Sequence, residues 1–303
     1  LPFACPCATL PGQDGKRGSD MAKVLYEKDG RIGRITLNRP DVMNAIDDDL
    51  PGDLAQAVAE ADHDSEVHVM VLSGAGKAFC AGYDLAHYAQ DPDNKITQGM
   101  PWDPMQDFQF MWANTQNFMS LFRAMKPVIC KVHGFAVAGG SDIALCADLT
   151  IMADTAQIGY MPTRVWGCPT TAMWVHRLGP EKAKRMLFTG DKISGLEAAE
   201  MGLVLKSVPD DRLDEEVEAL AARMATVPIN QLAMQKMVIN AAVEEQITRT
   251  QRLATVFDGI TRHSPEGLNF KARSEAVGWK QAVRERDMGT FDWTLNRPIN
   301  PES

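Results

Sequence analysis

Two glycine-containing turns hold the residues best suited to chemistry: GAGKAFCAGYDL, residues 74–85, and HGFAVAGGSDIAL, residues 133–145. Each follows a short apolar run that reads as a strand, and each can present backbone N–H groups to an anion or to an oxygen gaining negative charge. In the second, Gly139 and Gly140 precede an apolar helical stretch, so their amides fall at a helix N-terminus, where partial positive charge collects. Taken singly, either is read more simply as a tight turn in which glycine permits close packing. Other chemistries lack their residues. His63, His68, His87, His133, His176 and His263 show no metal-ligand spacing, no Gly-x-Ser-x-Gly elbow occurs, and GAGKAF lacks the spacing of a phosphate-binding loop.

The turns need strands before them and helices behind them. VLYEKDGRIGRITLN, from Val24, reads as two β-rich runs about a glycine turn, a hairpin. Met43, Ile46, Leu50, Leu54, Ala57 and Ala61 then recur every three or four residues, the stripe of an amphipathic helix, in which Pro51 is tolerable only near the first turn. Residues 67–74 read as a buried strand, and residues 104–125 as a long helix that Pro127 ends. VICKVHG as strand, GGSDIALCAD as turn into helix and LTIMAD as strand alternate in the α/β manner, with parallel packing expected.

Beyond residue 210 the β signals stop. Leu213, Val217, Leu220 and Met224 make one helical stripe and Leu253, Val256, Phe257 and Ile260 another, while Ser264 and Pro265 read as N-cap and first residue of a further helix. The expected layout is a leader (1–22), an α/β core (23–210), a helical region (211–290) and a tail (291–303). The Pro/Gly-rich leader has neither a secretory nor a transit pattern and is expected to be disordered. Because Met21 follows it, vector sequence or an upstream start also fits, and the intact mass of the native protein distinguishes these.

Composition narrows the function classes. With 303 residues, 45% apolar and 23% charged, the chain has the make-up of a folded globular protein, either one large domain or a domain with an appendage. Lys and Arg total 31 against 40 Asp and Glu, a net charge of −9, so no overall field draws it to nucleic acid or acidic lipid. No run reaches the roughly 18 to 20 apolar residues of a membrane-spanning helix. Cys80, Cys130, Cys146 and Cys168 stand alone in apolar stretches, as reduced cysteines of a cytoplasmic protein do, and Cys5 and Cys7 lack further partners for a zinc site.

Read together, ITLNRPDVMNAI, GKAFCAGYDL, KPVICKVHGFAVAGGSDIALCADLTIMAD and TGDKISGLEAAEMGLV resemble the crotonase, or enoyl-CoA hydratase/isomerase, superfamily over roughly Val24 to Asp287. Any one piece is weak; their joint order is specific. The resemblance implies an α/β spiral of ββα units with a C-terminal helical oligomerisation region, assembled as a homotrimer or dimer of trimers. It implies an acyl-CoA thioester substrate, with coenzyme A as part of the substrate and no separate cofactor or metal. Enoyl-CoA hydration is the first expectation. Isomerisation or other enolate chemistry using Asp142 alone is the alternative, as is a catalytically weak acyl-CoA-binding paralogue.

By that likeness the N–H groups of Ala81 and Gly139 form an oxyanion hole for the thioester oxygen. Polarising the carbonyl acidifies the α-carbon but does not remove its proton, so the site also needs an acid/base. Asp142, one helical turn beyond Gly139, is the candidate, matching one of the two glutamates that activate water in typical hydratases. Without the resemblance it reads as a first-turn acid favoured by the helix dipole. The second glutamate is replaced by Thr163, which can orient water but not act as a base near neutral pH. Lys77, Ala81 and Asp84 are expected toward the coenzyme A moiety, with Lys271, Arg273 and Lys280 as further basic candidates. Tyr83, Tyr160, Met161, Trp166 and Trp174 are expected in the acyl pocket or the core, Arg164 facing a substrate carboxylate or solvent, and His87 near the pocket or exposed.

Overall fold

The computed structural model describes residues 22–91 and 101–299. Most of the expected leader, with Cys5 and Cys7, and residues 300–303 lie outside the described part. Strands β1 (Val24–Asp29) and β2 (Ile32–Leu37) form the expected antiparallel hairpin. With β3 (Val69–Gly74), β4 (Val128–Val132), β6 (Leu149–Ala153) and β9 (Lys206–Val208) they make a six-stranded sheet ordered β1-β2-β3-β4-β6-β9, parallel from β2 onward. A second sheet joins β5 (Phe135–Val137), β7 (Gln157–Gly159) and β8 (Lys192–Ser194). The chain is thus α/β.

Alternation along β2 explains the layering. Gly33 points to Ala61 of helix α1 (Leu50–His63), whereas Arg34, on the opposite face, pairs with Glu218 of helix α7 (Leu213–Ala225). A sheet covered on both faces buries its central strands on both sides, which is why β3 and β4 read as continuous apolar runs. The α1 stripe starts later than its periodicity suggests. Met43 and Asn44 hold positive φ after a short turn at Pro40–Val42, and Ile46 bridges to Tyr83; the helix begins at Leu50, with Pro51 in its first turn.

The long helix expected over 104–125 divides into α2 (Pro104–Phe118) and α3 (Ser120–Arg123). Helix α4 (Gly139–Cys146) starts at the second glycine turn. Helices α5 (Met173–Thr189) and α6 (Gly195–Met201) complete the first part. After α7 come α8 (Ile229–Ala241), α9 (Glu244–His263), α10 (Pro265–Val277) and α11 (Trp279–Met288). Ser264 caps α10 through the Gly267 N–H, with Pro265 at its first position. Helix α9 packs along α2, while α10 and α11 close over the turn at Ala86–Gln90. The chain then pairs β10 (Phe291–Asp292) with β11 (Arg297–Pro298), and Phe291 and Trp293 are buried beside Phe270 and Trp166 in a second apolar cluster.

Candidate active site

The two glycine turns are docked against each other. Cys80 N–H donates to Phe135 O (2.8 Å) and Val137 N–H to Cys80 O (3.1 Å). Glycine is required where they touch: a Cβ on Gly140 would lie 2.3 Å from Cys80 O, and one on Gly82, at φ +88°, would lie 2.7 Å from the Ala138 Cβ. Ala138 itself sits at φ 51°, ψ −129°, a strained conformation for a residue with a Cβ. Its N–H is held by Gly159 O (2.9 Å), and its carbonyl accepts from the Ser141 N–H (2.9 Å) and hydroxyl (2.6 Å). The strain serves to start α4 at Gly139, whose N–H has no intrahelical acceptor.

One oxyanion candidate is displaced. Ala81 borders the cavity, but its N–H donates to Met43 O at 3.0 Å. Two residues on, Ile46 bonds to Gly82 O and accepts from Asp84 N–H, which leaves the intervening Tyr83 N–H turned away from that partner. Among the described residues, the Tyr83 and Gly139 N–H groups donate to no backbone carbonyl. They are close together, since a Cβ on Gly82, adjacent to Tyr83, would lie 3.4 Å from Gly139 N. Sequence position alone did not reveal which N–H of the first turn is already bonded.

Both turns border a largely apolar cavity of about 440 Å³. Asp142 reaches it from α4 and is 3% exposed. Its Oδ1 accepts from the Thr171 hydroxyl at 2.6 Å, and Thr171 O accepts in turn from Gln251 of α9 at 3.0 Å. Burial pushes the Asp142 carboxyl up to about 7; the Thr171 hydrogen bonds oppose the rise and the negative charge of Asp258 adds to it. At neutral pH the group therefore exchanges protons readily, as an acid/base must. Burial also raises the hydroxyls of Tyr83 and Tyr160 and takes the Cys168 thiol up to about 12, so those groups stay neutral.

Tyr83, Tyr160, Met161 and Trp166 line the cavity, whereas Trp174 is in the main core. Thr163 lies outside the cavity lining: its hydroxyl donates to Leu187 O of α5 at 2.5 Å, which turns it toward that helix. Arg164 points the same way, to Asp191 at 3.2 Å. Asp84 and Lys280 line the cavity; Lys77 is exposed outside it. Arg273 is held bidentately by Glu285 (3.0 and 2.8 Å), and Lys271 lies 3.7 Å from Glu275. His87 pairs with Asp48 at 3.0 Å. Among the described residues no group of three or more His, Cys, Asp or Glu could hold a metal ion.

Part of the cavity lining has no counterpart among the residues expected from the sequence. Helix α9 presents Asp258 and Arg262 to the cavity. Arg262 pairs with Asp258 (3.1 Å) and with Asp107 of α2 (2.6 Å), all three at most 5% exposed, and Asp258 Oδ1 accepts from Cys168 N–H at 3.0 Å. The apolar stripe Leu253, Val256, Phe257 and Ile260 faces outward and is exposed, while Ala254, Thr255, Asp258 and Arg262 are buried. The usable signal was the Asp258–Arg262 spacing of four, which places opposite charges on one helix face.

The model of the family described as enoyl-CoA hydratase/isomerase matches residues 27–272. A crystal structure of enoyl-CoA hydratase from Mycobacterium smegmatis superposes with a TM-score of 0.84 at 45% identity, covering 89% of this chain and 95% of that one. The crotonyl-CoA hydratase of Syntrophomonas wolfei is 30% identical over 81% of this chain and 93% of its own. A mitochondrial enoyl-CoA hydratase of Pongo abelii is 31% identical over 78% and 79%. With the docked glycine turns, the α/β core and the C-terminal helices in place, the chain belongs to the enoyl-CoA hydratase/isomerase family.

Proposed function

We propose that this chain binds an enoyl-CoA thioester in the 440 Å³ cavity and stabilises its enolate, with hydration as the reaction. The observation that carries this is the pair of unbonded N–H groups, Tyr83 and Gly139, beside the buried carboxyl of Asp142. The two N–H groups hold the thioester oxygen as it gains charge, each contributing about 3 kcal/mol to the transition state. Asp142 moves the α-proton, its Oδ1 steadied by the Thr171 hydroxyl. Tyr83 N–H thereby takes the place first assigned to Ala81, and Thr163 has no catalytic part. Asp84 and Lys280, which line the cavity, are assigned to the coenzyme A moiety.

The outward apolar faces of α8, with Met234, Met237, Val238 and Ile239, and of α9 support assembly as a homotrimer or dimer of trimers. The cysteines of the described residues are unpaired, which supports a cytoplasmic setting. The acidic balance argues against a nucleic-acid partner. Among the described residues no helix is long and apolar enough to cross a membrane. Mass spectrometry of a panel of enoyl-CoA thioesters incubated in D₂O tests the assignment. Addition of a water mass is expected. Deuterium uptake at the α-carbon without water makes the reaction an isomerisation or related enolate step, and thioester binding with neither change defeats the enzymatic assignment.

A further inference from the structure

Water addition needs two proton-moving groups, one to take a proton from water as its oxygen attacks the β-carbon and one to protonate the α-carbon. Asp142 supplies one. The position after Pro162 supplies none, because Thr163 donates to Leu187 O and stands outside the cavity. Another part of the cavity lining holds a second carboxyl. Asp258 of α9 lines the same cavity, in a segment far from either glycine turn. Its Oδ1, which accepts from Cys168 N–H, lies 3.8 Å from where a Cβ on Gly167 would sit, and the Tyr160 hydroxyl lies 3.3 Å from that point. The missing side chain at Gly167 keeps this corner open between the two polar groups.

We infer that Asp258 is the second acid/base of the site, so that hydration runs through a carboxyl pair, Asp142 and Asp258, drawn from two distant parts of the chain. Resting on the function proposed above, the roles follow from the partners of each group. Arg262 lies 3.1 Å from Asp258 and favours its ionised form, whereas Asp142 accepts from the Thr171 hydroxyl and, among the described residues, makes no ion pair. Burial raises Asp258 as well, against the pull of Arg262. The ion pair with Arg262 assigns the carboxylate to Asp258 and leaves the carboxylic acid to Asp142. Asp258 takes a proton from water; the water oxygen bonds to the β-carbon; the double-bond electrons move through the α-carbon onto the thioester oxygen held by Tyr83 and Gly139. The enolate collapses as Asp142 gives its proton to the α-carbon. The two carboxyls have then exchanged one proton, and solvent restores the starting state.

Arg262 and Asp107 are positioning residues, since Asp107 holds the guanidinium from α2 without lining the cavity. The test follows water addition to short enoyl-CoA thioesters and, in parallel, α-deuterium exchange of the saturated acyl-CoA thioesters of the same length, whose acidic α-protons can be removed and returned without water addition. Asp258→Asn, which keeps an acceptor for Cys168 N–H, is expected to lose water addition by about 100-fold or more while keeping exchange within about threefold, because Asp142 is intact. Asp142→Asn is expected to lose both. Asp107→Asn, which loosens Arg262 from outside the cavity, is expected to lose far less water addition than Asp258→Asn. Equal losses in those two variants would make Asp258 structural and overturn the inference, as would water addition by Asp258→Asn at the wild-type rate. Should Asp258→Asn fail to fold, Asp258→Glu decides: displacing the carboxylate by a methylene is expected to slow water addition about tenfold or more and spare exchange, and equal slowing of both rejects the pair. Wild-type protein that binds thioesters but neither adds water nor exchanges deuterium would instead defeat the underlying functional proposal.

Discussion

The two walls of the cavity are built on opposite principles. The wall made by the glycine turns and α4 relies on backbone: close approach at Gly82 and Gly140, a strained Ala138, and N–H groups left over where one strand passes another. The wall made by α9 relies on side chains, with Asp258, Arg262 and Asp107 buried as a charged triad. Backbone amides are fixed in place by the fold and need no counter-ion. Buried charges hold only as a set, since removing one leaves another unpaired. The first wall is therefore expected to fail through distortion, the second through loss of charge balance.

The sharpest separation is expected at Asp142. Asp142→Asn should lower α-deuterium exchange by about 10² to 10⁴, read by mass spectrometry. It should also stabilise the fold in alkali. The folded pKa of Asp142, about 7, lies above its ordinary 3.8, so its contribution to stability is full below 3.8 and is lost as pH rises through 7. The variant should thus gain up to about 4 kcal/mol over wild type at pH 8, and nothing at pH 3, by denaturant unfolding. A variant less stable than wild type at pH 8 would refute the burial origin of the shift.

On the other wall, Arg262→Met should cost about 3 to 5 kcal/mol near neutral pH, because two buried carboxylates lose their cation. A neutral result would show that the triad is not held by charge. Gly140→Ala drives a Cβ onto Cys80 O and should cost about 3 kcal/mol, with loss of activity as the turns separate. Ala138→Gly removes the strain at φ 51° and should add about 1 kcal/mol, seen as a higher melting temperature with activity retained. The smallest effect is expected at Lys280 of the cavity lining, where Lys280→Ala should raise KM about threefold at low salt and leave kcat alone. A kcat effect there would place Lys280 nearer the reacting atoms than the cavity lining suggests.

Much of the first wall is legible in the sequence. The glycines of both turns, Asp142 and the strand–turn–helix order stand within short stretches, and local spacing sets their geometry. The error at Ala81 has a local cause too: whether an N–H is free depends on Met43 O, which a different segment delivers. Thr163 was singled out by its place in a motif, but the packing of its turn against α5 takes its hydroxyl away from the cavity. Asp258 carried only the signal of its spacing of four from Arg262, and the apolar stripe of α9 reads as the inward face. The folded chain turns that stripe outward and buries the charges.

Hydrophobic periodicity, turn residues and the order of strands and helices were enough to specify an α/β core with two glycine turns and a carboxyl one helical turn beyond the second. Those features depend on interactions between near neighbours, which the order of residues records directly. Which N–H groups stay unbonded was decided by the segment Met43–Ile46, and which hydroxyls are turned away and which distant carboxyl shares the cavity with Asp142 only when α5 and α9 packed around the turns. Contacts between residues some 150 apart, such as Asp107 with Arg262, are products of closure of the whole chain and leave no local pattern by which to read them.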